Sequence, residues 1–140
     1  MLRAVLDTNV FISGIKSQTT PPGKVLDAWR KKRFVLITSP QLLDEIQEVL
    51  LRPEILRLLK KTPNEVDAFI TILIQKAYLT EGKLEIDVLE KDPDDNMVLA
   101  CAEEGIATNL VTGNTKDFPF KEYKGIQIVI PKKFLDLLEQ

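Results

Sequence analysis

Nearly every side chain here that is able to do chemistry carries oxygen. The chain of 140 residues has no histidine and one cysteine. Ser-His-Asp triads, His-paired cysteine nucleophiles, histidine general bases and the HExxH zinc site are therefore excluded. Cys101 alone builds neither a Cys-rich zinc site nor an internal disulfide, and its apolar setting, VLACA, reads as buried helix holding an inert thiol. Carboxylates, amides and hydroxyls remain, and these hard donors suit Mg²⁺ or Mn²⁺. They stand at four places: Asp7 at the end of RAVLD, Glu45 within SPQLLDEIQEVL, Asp92, Asp94, Asp95 and Asn96 in DPDDN, and Asn114 with Asp117 in TGNTKD. One acid at a helix start is ordinary capping. Several repel one another by more than a helix dipole offsets, and a bound cation would relieve that repulsion.

The elements that must position these groups can be read in outline. Residues 4–6 form an apolar run too short for a self-sufficient helix and suited to the buried first strand of a parallel sheet. In open α/β sheets ligands bind outside the carboxyl ends of the strands, which is where Asp7 falls. Asp7 equally suits the N-cap of the following helix, expected over residues 8–15 and ended by Gly14. The polar stretch KSQTTPPG reads as a mobile loop. Pro21 and Pro22 then open a helix with Val25, Leu26, Ala28 and Trp29 inward, and its basic end, residues 30–33, complements the helix dipole. Residues 34–37 read as a second strand, Ser39 as an N-cap and Pro40 as the first helical residue. In that helix Leu42, Leu43, Ile46, Val49 and Leu50 form one stripe, with Asp44 and Glu48 pointing away from it. Glu45 sits about 100° from its centre, either a solvated flank residue or a carboxylate overlooking a cleft beside the sheet.

Arg52-Pro53 ends or kinks this helix, a short one continues over residues 54–61, and Thr62-Pro63-Asn64-Glu65 is a capping box that starts the next. Val66, Phe69, Ile70, Leu73 and Ala77 share one face there. Ile72 and Ile74 widen the apolar arc, pointing either to a protein partner or self-association, or to extra core. Gly82 breaks the pattern, residues 84–88 alternate as a third strand, and residues 97–102, apolar nearly all round, form a buried helix stopped by Gly105. A fourth strand covers residues 109–112 and a fifth 126–130, and Pro131 opens a terminal helix with Phe134, Leu135 and Leu138 inward. Strands alternating with helices mean a parallel α/β sheet with right-handed crossovers. The length and 44% hydrophobic content fit one domain over residues 1–140.

Nineteen basic and twenty-one acidic residues leave a formal charge of -2, so bulk charge does not hold nucleic acid and any such contact is local. With no basic-plus-apolar leader and no apolar run of membrane-spanning length, a soluble protein of a reducing compartment is expected, the cytoplasm being the simplest case.

The segments VLDTNVFIS, SPQLLDEIQEVL, DPDDNMVLACA and LVTGNTKDFP resemble, in order and over almost the whole chain, the motifs of the PIN-domain nucleases, and within them the VapC-like toxin components of toxin-antitoxin systems. The resemblance implies an α/β fold, a three-layer α/β/α sandwich with a central parallel sheet of four to five strands, and metal-dependent cleavage of single-stranded or structured RNA. By position the family's acids fall on Asp7, Glu45 and Asp95, with Thr8, Asn9 and Thr112 as supporting polar residues. Where many members have TGD, this chain has Thr112-Gly113-Asn114. The amide still accepts a hydrogen bond but brings no charge. Asp117 either replaces the missing acid or belongs to the neighbouring turn.

The expected mechanism has Mg²⁺ or Mn²⁺ held by Asp7 and Asp95, directly or through water, with Glu45 and Asn114 or Asp117 completing the shell and Asp94 and Asn96 in support. Hydrolysis would leave a 5′-phosphate and a 3′-hydroxyl. Lys16, Lys24, Arg52, Lys116 or Lys121 would position the RNA backbone if not simply solvated. An antitoxin over the cleft and a homodimer or higher homo-oligomer are the expected protein partners. One rival is a catalytically weak or inactive PIN-like module that binds RNA or protein, motivated by Asn114. Another is a response-regulator domain, disfavoured because Leu6 precedes Asp7 and Pro131 follows the last strand.

Overall fold

A computed structural model describes residues 1–89 and 93–140. The chain runs β1 (Arg3–Leu6), α1 (Thr8–Lys16), α2 (Pro21–Arg30), β2 (Val35–Thr38), α3 (Pro40–Leu50), α4 (Pro53–Leu59), α5 (Pro63–Lys76), β3 (Tyr78–Leu79), α6 (Pro93–Glu104), β4 (Asn109–Val111), a 3-10 turn (Thr115–Asp117), β5 (Glu122–Tyr123), β6 (Ile126–Val129) and α7 (Pro131–Leu138). Six strands make one sheet in the order β3-β2-β1-β4-β6-β5. All neighbours are parallel except β5 and β6, which form an antiparallel hairpin at one edge. The fold is a three-layer α/β/α arrangement, with one strand more than the four to five expected and with that antiparallel edge.

Burial explains the strands. Ala4, Val5, Leu36, Leu110 and Val111 are at most 1% exposed, as strands covered on both faces must be. Fully burying one Val or Leu side chain is worth about 1.5–3 kcal/mol. The chain leaves β1 through α1 and α2 toward β2 and β3, then returns through α6 to β4 on the other flank of β1. The order therefore reverses between β1 and β4. Their carboxyl ends flank a topological switch point, the place where open α/β sheets leave a crevice.

Local signals set most helix starts. Ser39 Oγ accepts from the Leu42 N–H at 3.2 Å with Pro40 in the first turn, and Thr62 and Glu65 close the expected capping box. Two expectations fail and a third holds in position only. Gly14 does not end α1: it lies inside the helix, where an added Cβ would come 2.6 Å from Leu26 Cδ1, so it permits the close approach of α2. Gly105 does stand where α6 stops, but the left-handed residue is the next one, Ile106, at φ 54°, and Gly105 itself leaves room for Ile37. Residues 84–88 form no strand. Leu84 and Ile86 are half-buried between exposed neighbours, and side chains hold the segment at its two ends: Glu104 accepts from the N–H groups of Gly82 and Lys83, both at 3.1 Å, and Asn96 Oδ1 accepts from Val88 and Leu89 at 3.1 and 2.8 Å. The third strand is instead the two-residue β3, paired to β2. Among the described residues, no helix is long and apolar enough to cross a membrane.

Candidate active site

Asp7 follows β1 directly and caps α1, its Oδ1 accepting from the Thr8 N–H at 2.8 Å. It is at once a strand-end residue and a helix cap, because the end of β1 is also the start of α1. Its other oxygen accepts from the Thr112 hydroxyl at 2.9 Å and from Asn9 Nδ2 at 3.4 Å. Thr112 stands after β4, fully buried, and its Oγ1 accepts from the Asn114 N–H at 3.2 Å. Asn9 Oδ1 accepts from the Gly113 N–H at 2.8 Å. The two sides of the switch point are thus laced by short polar side chains, and the 9% exposed Asp7 carboxylate has its orientation fixed by three donors.

The second acid comes from α3. Its stripe buries Leu42, Leu43, Ile46 and Leu50 and leaves Asp44 and Glu48 exposed, with Glu45 half-buried on the flank. Glu45 Oε2 accepts from Thr8 Oγ1 at 2.6 Å, a short charge-assisted bond across 37 residues of chain. Burial pushes the Glu45 carboxyl up to about 7, with a hydrogen bond to Asp94 and the charges of Asp94 and Asp7 acting in the same direction against the Thr8 bond. Acids from the end of β1 and from α6 therefore both act on Glu45 of α3.

Asp95 is 8% exposed in the first turn of α6, one residue beyond Asp94. Asp92 lies outside the described residues. Asn96 does not face the acids: besides its two accepted bonds, its Nδ2 donates to the Leu89 carbonyl at 2.7 Å. It anchors the backbone at Val88 and Leu89. Asn114 and Asp117 are both exposed and paired with each other, Nδ2 to Oδ1 at 3.0 Å, while the Asn114 N–H supports Thr112. Cys101 is buried, and burial raises its thiol to about 12, as befits a core thiol. Among the described residues, no group of three or more acid or thiol side chains is arranged to hold a metal by itself. Resemblance alone places Thr8 and Asn9 at the site; Thr8 joins Asp7 to Glu45, and Asn9 joins Asp7 to the turn after β4. Asp94, expected only in support, contacts Glu45. The one sequence signal for that contact is the crowding of acids at the start of α6.

A strand-end acid held by polar neighbours at the switch point and linked through Thr8 to a second acid from the helix after β2 makes an oxygen-donor site. The model of the PIN domain family matches residues 3–116, a span that contains Asp7, Glu45, Asp95 and Asn114, and this chain belongs to that family, a nuclease fold. It is also 26% identical over 147 aligned residues to an uncharacterized protein of Methanocaldococcus jannaschii, an alignment covering 99% of this chain and 93% of the relative.

Proposed function

We propose that this protein hydrolyses phosphodiester bonds of single-stranded RNA with Mg²⁺ or Mn²⁺, as the toxin component of a toxin-antitoxin pair. The observation that carries the reading is the crowding of Asp7, Glu45 and Asp94 at the switch point of a histidine-free chain. The donor set suits a hard divalent ion. Mg²⁺ is usually held by one or two carboxylates together with water and substrate phosphates, so a three-acid protein cage is not required. Asp7 and Glu45, with Asp94 or Asp95 beside them, are the residues to hold it.

Bound there, the ion supplies positive charge where the phosphate arrives and Lewis acidity toward the attacked phosphorus. The chain does the rest. Thr8, Asn9 and Thr112 keep the acids aimed at one place. Glu45, ionised once the ion is bound, would accept the proton of the attacking water as general base. An antitoxin and a second copy of the chain are the protein partners this reading implies. Support comes from Ile72 and Ile74 on α5, which at 41% and 52% exposed are surface rather than extra core.

The test is incubation of the purified protein with a mixed RNA pool, with Mn²⁺ or EDTA, alongside Asp7→Asn. Fragments with 5′-phosphates, formed only by the wild type with metal, are expected. Intact RNA with metal, or equal cutting by Asp7→Asn, overturns the nuclease reading. Intact RNA that is nevertheless bound favours the second reading, a binding module, which the diversion of the Asn114 amide to Asp117 supports. Induced expression should arrest growth for the wild type and not for Asp7→Asn, and unaffected growth removes the toxin role alone.

A further inference from the structure

We propose that the β5–β6 hairpin carries a track for single-stranded RNA that leads into the acidic site. A groove of about 730 Å³ runs along the hairpin and the start of α7, lined by Lys116, Lys121 and Lys133 and by only one acid, Glu122. In a chain of net charge -2 this is a local excess of positive charge. All three lysines are exposed, and none forms an ion pair with a described acid, whereas Lys31, Arg33, Arg52, Lys61, Lys83 and Lys124 each do. Three exposed, uncompensated ammonium groups along one groove suit a chain of phosphates better than a single anion. Phe120 also lines the groove, half-buried and stacked on Tyr123 at 5.4 Å, a flat apolar surface of the kind on which an unpaired base stacks.

The walls of the groove adjoin the polar network that holds Asp7. Lys116 lies in the turn after Asn114, whose N–H is bonded to Thr112, the residue that donates to Asp7. On the other wall the Val129 carbonyl accepts from the Thr112 N–H at 3.0 Å. A strand lying on the lysines thus reaches the carboxyl ends of β4 and β6, beside the Asp7 carboxylate. Apart from Thr115 and Lys116, the lining residues follow the segment matched by the family model, so the track lies in the C-terminal part, beyond that match.

The direction of the track rests on the nuclease reading, whereas the binding test does not. In the Asp7→Asn background, binding of a fluorescein-labelled twelve-nucleotide oligouridylate and of its DNA counterpart is followed by anisotropy across salt concentrations. Replacing Lys116, Lys121 and Lys133 together by Ala should weaken RNA binding about tenfold or more near 0.1 M salt and reduce the slope of log affinity against log salt by about 2, at roughly 0.7 per phosphate contact. Ala at Lys31 and Lys32, at the far end of α2, should change neither. An unchanged affinity and slope in the triple variant, equal loss in the Lys31 and Lys32 variant, absence of RNA binding, or preference for DNA overturns the track. Weakened binding in a protein whose wild type never cuts RNA keeps the track and removes the nuclease reading. Undiminished cutting by the triple variant in the wild-type background does the reverse.

Discussion

Replacing Glu45 by Gln keeps the size of the side chain and an acceptor for Thr8 Oγ1 while removing the charge, and the structure sets the sign of the result. The folded carboxyl is raised from 4.5 to about 7, chiefly by burial, so it binds its proton more tightly than in the unfolded chain. Ionising it therefore costs stability. The cost is absent below the unfolded value, where both states are protonated, grows between the two values and is complete above the folded one. At 1.36 kcal/mol per pH unit the full span is worth about 3 kcal/mol. Glu45 is only half-buried, and solvent screening with the weaker Thr8 bond to a neutral amide reduces this to about 1 kcal/mol. Urea unfolding in EDTA should find Glu45→Gln more stable than wild type by about that amount at pH 8, and equal to it near pH 4. A wild type that is the more stable of the two at pH 8 refutes the argument that this acid is held at a cost for function.

Other consequences are as direct. Thr112→Val removes the buried donor to Asp7 and the acceptor of the Asn114 N–H, and should cost about 2 kcal/mol in urea unfolding; a loss under about 0.5 kcal/mol contradicts the lacing of β1 to β4. Ile106→Gly relieves a β-branched residue at φ 54° that is 79% exposed, and should raise stability by about 0.5–1 kcal/mol, read as a higher melting temperature. Asn114→Asp replaces a hydrogen bond to Asp117 by two like charges; it should lower the melting temperature in EDTA and regain it with Mg²⁺, and failure of Mg²⁺ to restore it counts against Asn114 bordering the cation.

Where local chemistry decides, the chain is legible. The Thr62–Glu65 box, the Ser39-Pro40 start and the buried runs at Ala4, Leu36 and Leu110 stand in the structure as they read in the sequence. The two-residue edges β3 and β5 carry no periodicity and exist only because a neighbouring strand is there to pair with. Leu84 and Ile86 show true period-2 burial, but they spend it on packing while Glu104 and Asn96 take the backbone bonds at the segment's two ends, so alternation alone misreads them as a strand. Gly14 and Gly105 look like left-handed helix stops because close approach and conformational freedom leave the same letter. At the site, Asp7 and the flank position of Glu45 follow from strand ends and the helical wheel. The Thr8 to Glu45 bond spans 37 residues and the Asn9 to Gly113 bond 104, so neither has a local signal. Asn96 sits among the acids in sequence and faces away from them in space.

The central claim is that Asp7 and Glu45, from opposite ends of this network, serve one divalent ion. Calorimetric titration of Mn²⁺ near pH 7 into the wild type, Asp7→Asn and Glu45→Gln tests it most directly. The wild type should bind at one site with proton release, since the raised Glu45 carboxyl must ionise, and each variant should bind at least tenfold more weakly. Mn²⁺ binding that is unaltered in both variants, or no binding to the wild type, contradicts the account.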